Sequence, residues 1–309
     1  MAEKLNKVRN AAVVSTTVNG VLALGKVIIG FFSGSLAVLS DGLDSSGDVL
    51  TSIIMIYTSR LMRKPPNIKF PYGYEKAESI ASKSISFFIF FAGAQLVFSA
   101  INKLFSPEDH VIPGMLAVYI TSLSIVTKIM LSIHQHRKAK ALDSQMLKAN
   151  ARNMKNDILI SGSVLLGLLF TQTFGIYQID VAIGMGIGLY IMWTAYKLFL
   201  TSNVELMDGI DDPSVYNKVF EAVAEVKGAY NPHRARIRQM GNSYVVAIDI
   251  EVEGAISVSK SHEIAAELEK TIKKKIPNVY DIMVHMEPIG QSEKDEKFGI
   301  SRHNFPDDI

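Results

Sequence analysis

The 309-residue sequence contains no cysteine and carries almost no net charge. Without cysteine, the protein has neither disulfide bonds nor thiolate metal sites. The formal net charge of +2 argues against nucleic-acid binding, which needs a strong basic excess to neutralise phosphates. The sequence also lacks an H-E-x-x-H zinc motif, and no serine–histidine catalytic pair is recognisable, so we do not expect an enzyme.

Long apolar runs dominate the first two thirds of the chain. The sequence is 48% hydrophobic, with a mean hydropathy of +0.21. A helix needs about 20 apolar residues to span a bilayer. The sequence therefore predicts an all-α transmembrane bundle over residues 1–205, with six spans at 9–32, 36–62, 77–105, 113–137, 146–174 and 179–202.

Basic residues occur in alternate loops of this bundle. They precede the first span, surround the loop after the second span and follow the fourth span, whereas the other loops are nearly free of them. The positive-inside rule therefore predicts a multi-pass protein of the plasma or inner membrane with both termini in the cytoplasm.

The character of the sequence changes after residue 205. Residues 206–291 combine two amphipathic helical patterns with three alternating strands in the order α-β-β-α-β. This order predicts a small cytoplasmic α+β domain. Residues 292–309 are polar, and we expect this tail to be disordered.

Two spans carry polar pairs at the helical spacing i, i+4. Asp44 and Asp48 form the first pair, and Asn153 and Asp157 form the second. Each carboxylate costs about 2.5 kcal/mol or more at the centre of a membrane helix, and close carboxylates repel one another. A divalent cation or protons would remove that repulsion, so the pattern predicts a site that exchanges one for the other.

An alternative role is open for the same side chains. They could form hydrogen bonds between helices or line a water-filled vestibule without holding a metal. Asp41 lies one turn before Asp44 and is a candidate for an outer access path. Lys26 in the first span could be a snorkelling or an interhelical charge.

Several stretches, taken in their order and spacing, resemble the cation diffusion facilitator family over nearly the whole chain. They are "SGSLAVLSDGLDSSGD", "YGYEKAES", the N-x-x-x-D of the fifth span, "GIGLYI" and the C-terminal α-β-β-α-β pattern. The resemblance implies a homodimer in the lipid bilayer that exports divalent transition metals in exchange for protons. It also implies a transport site at Asp44, Asp48, Asn153 and Asp157.

The transport site departs from the family's zinc-type pattern at one position. Asn153 stands where zinc-type members commonly have histidine. Carboxylate, carbonyl and water ligands suit manganese, whereas imidazole suits zinc and copper. We therefore favour Mn²⁺ as the transported ion over Fe²⁺, Co²⁺ or Zn²⁺, and we expect no prosthetic group.

The resemblance also implies a second metal site and a charge interlock. The metal site would use residues of the cytoplasmic domain, namely His233, Asp249, His262, His285 and Glu287. The interlock would pair Lys76 with Asp208. The alternatives are ordinary surface histidines and two solvated charges.

A second class of function is a membrane-anchored metal sensor or scaffold without transport. A membrane anchor has no need of carboxylates deep in its helices, and the pairs in the second and fifth spans therefore favour transport.

Overall fold

A computed structural model describes residues 2–62, 64–105, 112–141, 145–241, 243–291, 298–302 and 305. The chain forms two compact units. The first comprises Met1–Arg60 with Ala81–Phe199, and the second comprises Leu61–Ile80 with Leu200–Ile309.

Six long helices account for most of the first unit. They are α1 (Ala2–Ser33), α2 (Leu36–Met62), α3 (Ala77–Phe105), α4 (Met115–Ala141), α5 (Gln145–Phe174) and α6 (Gln178–Leu206). Five of them are long and apolar enough to cross a membrane, and α2 is the exception. The α2 helix has 27 residues, but its three aspartates lower its hydropathy. Composition alone therefore supports five of the six predicted spans.

The helices expose large apolar side chains outward and pack small and aliphatic ones inward. Phe88 and Leu159 are among the large apolar residues exposed to the surroundings. The interior core draws on five helices and consists of Ala37, Val38, Leu96, Ala117, Val164, Leu168, Ile187 and Ile191. This arrangement is typical of helices whose outer surface meets lipid.

Helices α1 and α2 approach each other closely at Gly30. A Cβ atom built on Gly30 would lie 2.6 Å from the backbone nitrogen of Leu39. Since real Cβ atoms do not approach backbone atoms this closely, only glycine allows the observed contact. This contact positions the N-terminal half of α2, where the three aspartates lie.

We expect Gly30→Ala to destabilise the membrane bundle because the added methyl group forces α1 and α2 apart. Overpacking of this kind costs about 1–3 kcal/mol. The matched control is Gly186→Ala, since a Cβ at Gly186 meets no atom within 4 Å. The measurement is the apparent melting temperature of the purified protein in detergent. Equal melting temperatures for the two variants would contradict the close packing at Gly30.

A buried carboxylate caps the start of α2. Asp180, in the first turn of α6, accepts hydrogen bonds from the Ser35 hydroxyl at 2.5 Å and from the Leu36 backbone N–H at 2.8 Å. A carboxylate at this position satisfies N–H groups that have no partner within the helix and favours the positive end of the helix dipole. The cap therefore holds α2 at a defined depth relative to α6.

The second unit contains a small α/β domain. Its elements are α7 (Ser214–Glu225), β1 (Tyr230–Met240), β2 (Ser243–Val252), α8 (Val258–Lys275) and β3 (Val279–Pro288). The strand order is β1-β2-β3, with an antiparallel β1–β2 pair and a parallel β2–β3 pair. Helix α8 forms the crossover that parallel strands require. The predicted order of elements is confirmed.

The helices of this domain bury one apolar face each, as their periodicity predicts. Val219, Phe220 and Val223 of α7 are buried, as are Leu268 and Ile272 of α8. They join the buried residues of all three strands in a single core. Ser257 caps α8 by accepting a hydrogen bond from the Lys260 N–H at 3.2 Å.

The C-terminal tail was expected to be disordered over residues 292–309. Residues 292–297, 303–304 and 306–309 lie outside the described part of the chain. In the described part, Ile300 forms an antiparallel bridge with Ala235. The Phe305 ring also packs against the rings of Tyr216 and Phe220. These tail residues therefore contribute to the domain core rather than extending away from it.

Candidate metal centres

Helices α2 and α5 face each other through polar side chains at three successive levels, which we call the polar seam. At its first level, the Asn153 amide donates a hydrogen bond to Asp48 Oδ2 over 3.3 Å. Asn153 is an exposed residue in the N-terminal third of α5. The structure thus brings one member of each predicted polar pair together.

The second level of the polar seam contains a lysine from α4. Lys128 Nζ lies 3.0 Å from Asp157 Oδ2 and 3.1 Å from Ser45 Oγ. Both side chains are almost fully buried, with exposures of 1% for Lys128 and 8% for Asp157. An ammonium group therefore lies directly against a predicted metal ligand.

The third level is a closed network of buried groups. Lys26 of α1 donates to Asp41 Oδ2 at 2.7 Å and to Ser161 Oγ at 2.9 Å. The Ser161 hydroxyl in turn lies within hydrogen-bond distance of both Asp41 oxygens. Lys26 is thus an interhelical charge and does not snorkel. Asp41 is 1% exposed, so at this level it is an ion-pair partner rather than the wall of an open path.

The remaining aspartate lies between these levels. Asp44 is close enough to Asp48, Asp157 and Lys128 to interact with them electrostatically. The carboxylates of Asp44, Asp48 and Asp157 do not converge: among the described residues, they form no group of three ligand atoms within 4.8 Å of one another. Mutual repulsion and the Lys128–Asp157 ion pair account for this separation. The structure therefore places the predicted tetrad in one seam without drawing its oxygens together.

Sequence reasoning missed Lys128 and left Lys26 without a role. The available signal was a lysine inside an apolar run, "IVTKIM" in the fourth span. An ionisable residue within a span is a candidate for function, and its partner is usually another buried charge. Which carboxylate it would meet depends on how α4 packs against α5, and this is not visible in the sequence.

The C-terminal domain contains a compact group of potential ligands. His233, Asp249 and Glu287 place one ligand atom each within 4.8 Å of the others, and no other such trio occurs among the described residues. The sheet register explains the grouping, since His233 pairs with Asp249 across β1–β2, and Glu287 lies on the adjacent strand β3. One imidazole and two carboxylates suit a divalent transition metal.

The orientation of the His233 ring leaves one nitrogen facing the carboxylates. Its Nδ1 lies 2.7 Å from the Asn231 carbonyl oxygen, and its Nε2 lies 3.3 Å from Glu287 Oε2. A proton on Nδ1 that is donated to the carbonyl leaves the Nε2 lone pair available for a metal. Two register shifts in β1, on either side of His233, turn this residue toward the group.

A basic side chain also reaches this group. Arg234 Nη1 lies 3.0 Å from Asp249 Oδ2, although no group among the described residues meets this oxygen in hydrogen-bond geometry. Arg234 has a positive φ of 45°, which is rare for a residue with a side chain and accompanies the irregular course of β1. The contact balances the buried charge of Asp249.

The other two predicted histidines of this domain occupy different positions. His285 Nε2 lies 3.4 Å from Glu287 Oε1, and the side chain is 61% exposed at the margin of the group. His262 is exposed on α8 and does not belong to the group. The structure thus brings together three of the five predicted ligands, leaves His285 adjacent and separates His262.

The predicted charge interlock lies within the second unit. Lys76 Nζ is 2.5 Å from Asp208 Oδ1, with both side chains partly exposed. Asp208 follows α6 in the left-handed conformation, with φ of 61°, which aspartate tolerates better than most residues. An exposed pair of this kind contributes little stability by itself.

Partly buried hydrogen bonds reinforce the surroundings of this pair. Glu205, near the end of α6, accepts hydrogen bonds from the Ser79 hydroxyl and from the Gly241 backbone N–H. Partial burial raises the pKa of Glu75 from its usual value, and the nearby carboxylates of Glu205 and Glu78 raise it further. The loop before α3, the end of α6 and the β1–β2 turn therefore form one contact region.

The chain matches two known families of protein domain. Residues 12–207 match the cation efflux transmembrane domain, and residues 212–289 match the cytoplasmic domain of cation efflux proteins.

Curated relatives align with nearly the full length of the chain. The manganese efflux system protein MneS of Bacillus subtilis is 33% identical over 291 residues, covering 94% of this chain and 98% of MneS. The cation-efflux pump FieF of Pectobacterium atrosepticum is 25% identical over 287 residues, covering 93% of this chain and 95% of FieF. These alignments include both units.

Among solved structures, the metal-bound C-terminal domain of the CzcD transporter from Thermotoga maritima is 35% identical. It covers 26% of this chain and 93% of its own length, with a TM-score of 0.25. The family assignment depends instead on the match of the transmembrane domain, which extends over most of the chain and includes both polar pairs of the seam. The chain therefore belongs to the cation efflux family, also called the cation diffusion facilitator family, and is a multi-pass membrane transporter for the efflux of divalent metal ions.

Proposed function

We propose that this protein exports Mn²⁺ from the cytoplasm in exchange for protons, with the transport site formed by Asp44, Asp48, Asn153 and Asp157. The observation that carries the proposal is the polar seam between α2 and α5, which contains these four residues inside otherwise apolar helices. Carboxylates so placed need a cation partner during part of the transport cycle. A divalent cation that draws the oxygens together would meet this need.

The preference for manganese has two supports. The proposed donors are three carboxylates and one amide, an oxygen-rich set that suits Mn²⁺ better than Zn²⁺ or Cu²⁺. A relative at 33% identity is a manganese efflux protein. Fe²⁺, Co²⁺ and Zn²⁺ are the competing substrates, since these ions carry the same charge and differ from Mn²⁺ only in the ligands and geometry that they prefer.

We further propose the domain division and placement of the chain. Residues 1–205 form the membrane domain, and residues 206–291 form a cytoplasmic domain in which His233, Asp249 and Glu287 bind a regulatory metal, with His285 as an additional donor. Two chains form a homodimer in the plasma or inner membrane, with both termini in the cytoplasm. The distribution of basic loops supports this orientation.

Metal uptake into proteoliposomes tests the proposed transport. The purified full chain is reconstituted, a metal-sensitive dye is enclosed, and Mn²⁺ is added outside with a proton gradient imposed. Uptake well above that of protein-free liposomes is expected. Metal binding to the purified protein without any uptake would favour a membrane-anchored sensor or scaffold instead.

Replacement of Asn153 tests the basis of metal selectivity. Asn153→His adds a nitrogen ligand that zinc favours, so the ratio of Zn²⁺ to Mn²⁺ flux should rise by about tenfold. The measurement is uptake from an equimolar mixture of the two ions. Asn156→His, at an exposed position three residues further along α5, is the control. An unchanged ratio in Asn153→His would mean that this position does not determine selectivity.

A further inference from the structure

Among the residues whose side chains the structure describes, two lysines are buried in the membrane bundle, and they differ in the kind of carboxylate they contact. Lys26 and Lys128 are 0% and 1% exposed. Lys26 contacts Asp41 within a closed network that includes Ser161. Lys128 contacts Asp157, one of the proposed metal ligands, at 3.0 Å. Only the second ion pair therefore competes directly with a transported cation.

The formal charges of the polar seam leave room for one divalent ion. Four carboxylates and two ammonium groups leave a net charge of −2 when all are ionised, the groups being Asp41, Asp44, Asp48, Asp157, Lys26 and Lys128. One divalent cation neutralises this net negative charge while both lysines stay protonated. The ammonium of Lys128 can therefore stay in the seam while a divalent ion is bound there.

We propose that Lys128 is a tethered counter-cation of the transport site, whose ammonium the transported metal must displace from Asp157. This inference rests on the proposed transport function. Lysine suits the role because its ammonium is a compact charge on a flexible four-carbon stem. Ser45 Oγ, at 3.1 Å, provides a second acceptor that the ammonium retains when it releases Asp157.

Competition between the ammonium and the metal sets the affinity of the site. While the metal is bound, Lys128 is held close to it by its stem and repels it. When the metal leaves, the ammonium pairs with Asp157 again, and this carboxylate is no longer available for the metal to rebind. Lys128 thus weakens metal binding and favours release.

The test is the dissociation constant of Mn²⁺ for the purified full chain, measured by equilibrium dialysis at mildly alkaline pH, where protons compete least. Lys128→Met removes the ammonium and retains most of the side-chain volume. We expect Mn²⁺ to bind about tenfold more tightly or better, which corresponds to about 1.4 kcal/mol. Lys128→Gln serves the same comparison if the methionine variant aggregates.

The matched control is Lys83→Met in α3. The Lys83 ammonium lies 5.0 Å from the centre of the Phe199 ring, and no contact joins it to the polar seam among the described residues. Its replacement should leave the affinity unchanged. An unchanged or weaker affinity in the Lys128 variants would overturn the proposal, because a lysine that only joins helices does not compete with the metal.

A further variant separates this inference from the proposed transport site. Asp157→Asn should lose Mn²⁺ affinity, and adding Lys128→Met to it should give no tightening. If Asp157→Asn binds Mn²⁺ as well as the unaltered protein, the transport site itself is misplaced. If Asp157→Asn loses binding while Lys128→Met leaves it unchanged, the site stands and only the role of Lys128 is wrong.

Discussion

Asp48→Ala and Asp157→Asn should each reduce metal transport by about 100-fold or more while leaving the protein folded. Loss of a partner that merely orients a metal ligand already costs about 10–100-fold in affinity or activity, and loss of a ligand itself should cost at least as much. Asp157→Asn retains an oxygen that accepts the Lys128 hydrogen bond, which limits the structural damage. The measurement is the initial rate of Mn²⁺ uptake into proteoliposomes at matched protein content.

The matched control removes a different buried carboxylate of the same helical unit. Asp180→Asn eliminates the charge at the start of α6 but keeps one oxygen, which can still accept the hydrogen bond from the Leu36 N–H, while the new amide group can donate to the Ser35 hydroxyl. Transport by this variant should stay within a few-fold of the unaltered protein. Near-normal uptake by either Asp48→Ala or Asp157→Asn would exclude the corresponding residue from the transport site.

Collapse of the proton gradient should stop the accumulation of metal against its own gradient. With all six of its titratable groups ionised, the polar seam would carry two uncompensated negative charges, which one divalent cation or two protons can neutralise. Release of the metal from the seam should therefore be coupled to proton uptake by the seam, because the bare carboxylates left behind repel one another. A pH-sensitive dye inside the vesicles should report proton movement that begins when metal is added.

Two comparisons make this prediction specific. Addition of a protonophore should reduce the final metal level to that of simple equilibration, and Asp44→Asn should lower the number of protons moved for each metal ion. Identical rates and final levels with and without the gradient would show that the protein is a uniporter. The exchange mechanism would then be wrong, although the location of the transport site would be unaffected.

Most of the helical architecture could be predicted from the sequence because membrane spans are a matter of local composition. The observed bounds of α2 and α3, Leu36–Met62 and Ala77–Phe105, coincide with the predicted spans. The α/β domain could be predicted for a similar reason, since the periodicity of each helix and strand is visible within its own segment of sequence. The tail was harder to predict, because the contacts of Ile300 and Phe305 are made with residues distant in the chain.

The candidate sites show the same division. Spacing along one helix is enough to pair Asp44 with Asp48 and Asn153 with Asp157. Strand alternation is enough to predict that His285 and Glu287 share one face of their strand. Neither rule indicates which other helix or strand packs against these residues. The separation of His262 from the group of ligands depends on where α8 crosses the sheet, and this follows from packing of the whole domain.

The sequence by itself determined the spans, the order of elements in the C-terminal domain and the residue types available to hold a metal, because each depends on neighbours within a few turns or strands. Only the tertiary structure decided that Lys128 meets Asp157 and that Lys26 meets Asp41. The physical reason is that a buried ammonium takes whichever carboxylate its helix packing brings within hydrogen-bond distance. That distance is determined by close helix contacts such as the one at Gly30 and by the packing of α4 against α5, rather than by any local pattern.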